Sequence, residues 1–185
     1  MRALLNGLYR LSGALAAACL AIIAILVVTQ VGGRLVDGTL KLFGLEPFGL
    51  LVPSLAEIAG FLLVGASFLA LAQTLRMGDH IRVSMLLQHV PARIAQVLEV
   101  WSLAVATFLA GYFVWHVGWM VYDSYLYNEV SFGIIPIPLF IPQSVMTFGI
   151  GVFAVALLDD LLVAIQGRQP SYNLAERNDA LEGVE

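Results

Sequence analysis

Four stretches of this sequence, residues 8–33, 53–75, 92–121 and 139–166, are each apolar and long enough to cross a bilayer, and this feature limits the fold more than any other. A helix rises about 1.5 Å per residue, so roughly 20 apolar residues span a hydrocarbon core of about 30 Å. Lipid offers no partner to backbone N–H and C=O groups, so such stretches fold as helices that satisfy their own hydrogen bonds. The expected fold is therefore all-α: an integral membrane four-helix protein. Composition agrees, with 60% hydrophobic and 12% charged residues, against about 45–50% and 25% in ordinary soluble domains. No internal repeat and no soluble domain remains outside the four stretches. The polar tail, residues 168–185, lacks apolar periodicity and is read as a cytoplasmic extension of the 1–167 transmembrane domain.

The first stretch has the general look of a secretory signal. Its uncharged run between Arg10 and Arg34 is 23 residues long, whereas a signal h-region has roughly 7–15. A retained first helix is the expected outcome. Basic residues then set the direction, since they are held preferentially on the cytoplasmic side. Arg2 and Arg10 precede the first span, Arg76, Arg82 and Arg93 lie between the second and third, and Arg168 and Arg177 follow the fourth. Only Arg34 and Lys41 fall on the other side. Both termini are thus expected in the cytoplasm of a bacterial cell with this chain in its inner membrane. The loops containing Asp37 and Glu46, and Asp123 and Glu129, are expected outside. Trp115, Trp119, Tyr122, Tyr125 and Tyr127 gather where the third span would meet the outer interface, a level that aromatic rings favour.

Between the second and third spans, Val83, Leu86, Leu87 and Val90 recur at helical spacing, with Arg82, Ser84, Gln88 and His89 on other faces. That pattern predicts a short interfacial amphipathic helix, turned into the third span by Pro91. Arg93, Gln96 and Glu99 continue a polar face at three-residue intervals. The stretch Ser131 to Pro142 is apolar but holds three prolines. It is read as an extended segment that rests against protein or at the interface before the fourth helix.

Chemistry-bearing groups are sparse. The single cysteine, Cys19, allows no disulfide and no Cys-based metal site. Nine basic residues without a cluster exclude nucleic-acid binding. Haem ligation needs two histidines at matching depth on facing helices, but His80 and His89 fall in one connection and His116 stands apart. No nucleophile-and-base pattern, phosphate loop or HExxH helix is present. Catalytic, cofactor and metal sites are therefore all expected to be absent. Glu57 suits the positive N-terminal end of the second helix near Ser54, Glu99 the polar face, and His116 a neutral hydrogen-bonded state. Ser12, Ser67 and Ser102 are read as packing residues, and Gly13/Ala17, Ala17/Ala21, Ala56/Gly60 and Ala66/Ala70 as small-xxx-small pairs that let helices approach.

The run from Glu57 through Arg76 to Gly78, His80, Ile81, Arg82 and Val83 resembles the small membrane subunit, DctQ type, of tripartite ATP-independent periplasmic (TRAP) transporters. That family has a helix opening with Glu, an alanine-rich second half, and a turn of the Gly-x-His-Ile-Arg-Val kind. Gln30, Gly32, Gly33 and Arg34 resemble its exit from the first helix, and the proline segment followed by Met146 and Gly149 its approach to the fourth. The resemblance covers most of the chain, about residues 4–166, and leaves the tail unmatched. It implies an accessory scaffold for a large multi-helix permease subunit, which carries the substrate and sodium sites. A periplasmic solute-binding protein would deliver an organic acid or related solute. It also implies that Arg34, Glu57, Gly78, His80, Arg82 and Glu99 are structural or subunit-contact residues. Arg34 would reach an acidic group or lipid phosphate, and Arg82 would hold the interfacial helix to anionic membrane lipids. Two other readings stay open from the residues alone, a homo-oligomeric channel or carrier and a membrane anchor for a redox enzyme.

Overall fold

A computed structural model of the chain describes residues 2–49, 51–77 and 91–167, and four helices account for most of them. They are α1 (Arg2–Leu42), α2 (Leu55–Met77), α3 (Ala92–Leu126) and α4 (Phe140–Ile165). All four are long and apolar enough to cross a membrane. Gly78, His80, Arg82, the expected interfacial helix up to Val90 and the tail from Arg168 lie outside the described residues.

The helices alternate in direction. We call the end that holds the start of α1 basal and the opposite end distal. Along the bundle α1 lies on α2, α2 on α4 and α4 on α3, while α1 and α4 touch only briefly. Consequently α2 and α4 run parallel in the middle, and α1 and α3 form the two edges.

The edge helices meet the bundle through narrow seams. The buried and half-buried positions of α1 include a row at residues 5, 9, 12, 16, 19, 23, 26, 30 and 33, alternating four and three apart as in a left-handed supercoil. On α3 the buried residues Leu103, Ala110, Val117 and Ser124 recur every seventh position. Most of each edge helix is thus exposed, as lipid or a partner requires. At the centre, Gly149 of α4 presses on α2. A Cβ there would lie 2.7–2.8 Å from the backbone of Phe68 and Leu69, so only glycine permits this approach. Leu69, Ala72 and Leu75 of α2 and Val152, Ala156 and Leu157 of α4 are buried around it.

The first helix runs beyond the stretch expected at residues 8–33, and it carries Arg34, Asp37 and Lys41 on its last turns. Asp37 is therefore helical and not part of a loop. Nothing in residues 34–42 breaks a helix, and charged side chains suit one that has left the hydrocarbon. The helix stops where Gly44 adopts φ +71°. There Leu45 N–H donates to Leu40 C=O (2.9 Å) and Gly44 N–H to Lys41 C=O (3.1 Å), the hydrogen-bond pair of a glycine-terminated helix. The chain then folds back along α1. Asp37 Oδ1 accepts from Phe48 N–H (2.8 Å), and Gln30 Oε1 accepts from Val52 N–H (2.6 Å).

Residues 129–139 form a small hairpin-like turn. Ser131 N–H donates to Ile137 C=O and Leu139 N–H to Glu129 C=O, both at 2.9 Å. Pro142 does not precede α4 but lies in its first turn, where a missing N–H costs nothing.

Candidate functional site

Polar groups within the bundle collect at its two ends. At the basal end the guanidinium of Arg76, near the end of α2, joins three helices. Its Nη1 donates to Asn6 Oδ1 of α1 at 2.7 Å, and its Nη2 donates to Asp159 Oδ2 of α4 at 2.9 Å. The plane also lies over the ring of Tyr9, 4.5 Å from its centroid. Arg76 and Asp159 are each about a quarter exposed, so the pair is only partly screened by water. Asp160 and Tyr9 are buried beside it. A cavity of about 250 Å³ opens here between α1 and α2, lined by Asn6, Tyr9, Arg10, Gln73, Arg76 and Met77. One turn deeper, the Gln73 side chain occupies the notch left by Gly13. Ser12 Oγ then donates to Leu69 C=O at 2.6 Å. These contacts are adhesive in kind: cation, carboxylate, ring and amide bind helix to helix.

At the distal end the turn at 131–138 leans on the start of α2. Ile135 N–H donates to Ser54 Oγ at 3.1 Å, and Ser54 C=O accepts from Glu57 N–H and Ile58 N–H. Ser54 takes φ +54° to do so. Glu57, in the first turn of α2, lays its carboxylate against Gly133. Its Oε2 is buried with no hydrogen-bond partner among the described residues. Ser124 Oγ donates to Glu129 Oε2 at 2.6 Å and closes the end of α3.

The residues expected to matter are therefore scattered. Glu57 is half-buried in the distal contact, and Arg34 is exposed on the distal part of α1. Glu99 is half-buried near the start of α3, where Ser102 Oγ donates to its backbone C=O. Gly78, His80 and Arg82 fall outside the described residues. The residues expected to pack helices divide between the bundle interior and its exposed surface. Ser12 bridges two helices, but Ser67 Oγ and Ser102 Oγ turn back to their own helices and are exposed. Of the small pairs, Ala66 is buried and Ala70 half-buried, and Gly13 receives Gln73, whereas Ala17, Ala21, Ala56 and Gly60 are exposed; on α1 the seam uses Ser12 and Ala16. His116 lies on the exposed side of α3 with its ring 4.3 Å from that of Tyr112.

Sequence reading passed over Asp159 and Asp160, Tyr9 and Asn6. The signal was present: an arginine at the end of the second apolar stretch and two aspartates near the end of the fourth lie at the same depth in an up-and-down bundle.

Residues 23–167 match the family model described as Tripartite ATP-independent periplasmic transporters, DctQ component. No curated protein and no solved structure matches the chain. The family is a transporter component and not an enzyme, in keeping with polar contacts that join helices. With four apolar helices and a family model spanning most of its length, this chain belongs to the DctQ family, the small membrane subunits of TRAP transporters.

Proposed function

We propose that this chain is the static scaffold on which a large, multi-helix permease subunit of a TRAP transporter is held. That complex carries out sodium-coupled uptake of an organic acid or related solute delivered by a periplasmic binding protein. The chain sits in the bacterial inner membrane with both termini in the cytoplasm, as one transmembrane domain over 1–167 and a polar tail over 168–185. The observation that carries this reading is where the polar groups of the bundle lie. Arg76, Asp159 and Asn6 hold three helices at one end, Ser54, Glu57 and Ile135 join the other, and Gly149 closes the middle. Such an interior resists motion. A carrier needs polar or coordinating groups around a cavity at mid-depth, whereas the middle of α2 and α4 is filled by Ala66, Leu69, Ala72 and Val152.

Glu57, Arg34, Gly78, His80, Arg82 and Glu99 then act as structural or subunit-contact residues. Glu57 holds the distal turn in the shape that the large subunit meets, while Arg34 and Arg82 reach acidic groups or lipid phosphates at the two interfaces. The test is affinity purification of the tagged chain from native membranes in mild detergent. Recovery of a much larger multi-helix protein in near-equal amount is the expected result. Recovery of the chain alone as a defined homo-oligomer overturns the reading.

A further inference from the structure

The exposed side of α3 is unlike a surface made for lipid. Trp101, Phe108, Tyr112, Trp115, Trp119 and Tyr122 are each more than half exposed and follow one another at intervals of seven, four, three, four and three. This is the 3.5-residue repeat of a helix-packing seam, displayed on the side of α3 opposite the buried seam of Leu103, Ala110, Val117 and Ser124 that faces α4. Rings that merely anchor a helix gather at the two interfaces, whereas this row runs through the whole span. The uncharged run between Glu99 and Asp123 has its midpoint at Gly111. Tyr112 is therefore at the mid-plane, and His116 lies about 10 Å inward from Asp123 at 1.5 Å per residue. A phenol and an imidazole so placed face hydrocarbon unless something covers them, and intramembrane ionisable groups almost always face protein or a cavity. Among the described residues each has the other's ring at 4.3 Å, while α3 packs mainly on α4 and reaches α2 where Phe113 stacks on Phe68.

We infer that this row on α3 is the docking face for a transmembrane helix of the large permease subunit, with a hydrogen-bonding side chain of that helix opposite Tyr112 and His116. The inference rests on the scaffold reading above and names the face that reading leaves open. Size supports it. Aromatic side chains bury about 150–250 Å² each, so six that are more than half exposed offer roughly 500–900 Å², comparable to the ~800 Å² per partner of a standard interface. Trp115, Gly118 and Trp119 also border a groove of about 500 Å³, shaped to receive a side chain.

The experiment replaces Tyr112, Trp115 or Trp119 with the photoreactive aromatic p-benzoylphenylalanine in the tagged chain, in native membranes, with Ile22 and Ile25 on the exposed side of α1 as controls. The row is expected to cross-link to the large subunit at least tenfold more than the controls. His116→Leu is expected to reduce the co-purified large subunit about tenfold while leaving the thermal midpoint of the isolated chain unchanged or higher, and His116→Gln to restore it. Cross-links only to lipid or to a second copy of this chain, with the large subunit still co-purifying, overturn the docking face and leave the scaffold reading standing. Failure of the unmodified chain to bring down a large subunit removes both.

Discussion

At Gly149 a single hydrogen atom decides how close α4 comes to α2. Any side chain at this position meets the backbone of Phe68 and Leu69, which cannot turn aside as a side-chain tip can. Gly149→Val is therefore expected to push the central helices apart and to lower stability by about 1–3 kcal/mol, the usual cost of overpacking, read as the thermal midpoint in detergent. The neighbouring Gly151 has nothing within 4 Å of where a Cβ would stand, so Gly151→Ala is the control expected to leave the midpoint unchanged or to raise it slightly, alanine being the better helix former. Ser12→Ala removes the bond to Leu69 C=O, and in membrane proteins such bonds average about 0.6 kcal/mol, so its shift is expected to be the smaller. The sequence showed that small residues pack helices but not which ones. In alanine-rich helices many pairs have the right spacing, and only the three-dimensional seam separates Ala16, which is buried, from Ala17, which is exposed.

Among elements, the basal contact is where charge decides the arrangement. Arg76 ties α1 and α4 to α2 through Asn6 and Asp159, and the sign match leaves neither charge alone near lipid. Removing one member strands the other, while removing both leaves a neutral seam. The expected result of a double-mutant cycle with Arg76→Leu and Asp159→Leu is thus a double variant less destabilised than the sum of the singles. The coupling is on the order of 1 kcal/mol for a partly exposed pair, read from unfolding midpoints in detergent; strict additivity would mean that the contact contributes nothing. The existence and order of the four helices were legible, because lipid admits few alternatives to an apolar helix. The end of α1 was not. Arg34, Asp37 and Lys41 look like the exit from a span, yet charge ends only the apolar stretch and leaves the helix free to continue until Gly44 turns it. The aspartates of α4 went unread for a related reason: length and apolar content dominate such a stretch, and two charges near its end change neither.

The whole molecule has helices of unequal reach, and this sets how it sits in a membrane. With about 1.5 Å of rise per residue, the 41 residues of α1 extend about 61 Å and the 23 of α2 about 35 Å. A core of about 30 Å accommodates α2 but not all of α1. Since Asn6 and Tyr9 are fixed beside Arg76 at the basal end, the surplus must project at the distal end. Residues 34–42 alone account for about 13 Å at the same rise. Position 38 is then expected in water beyond the distal interface, on the outer side of the membrane in the topology proposed from basic-residue placement. The check uses single cysteines in a Cys19→Ala background, probed with a membrane-impermeant maleimide on intact spheroplasts. Gly38→Cys suits the purpose because nothing lies within 4 Å of a Cβ at that position, and it is expected to react at once. Ile22→Cys, at hydrocarbon depth, is expected to stay unreactive, and Ala175→Cys in the tail to react only after the membrane is opened. Reaction of position 175 in intact spheroplasts, with position 38 protected until permeabilisation, would invert the topology. Protection of position 38 in every condition would mean that α1 tilts strongly enough to keep its whole length in the membrane.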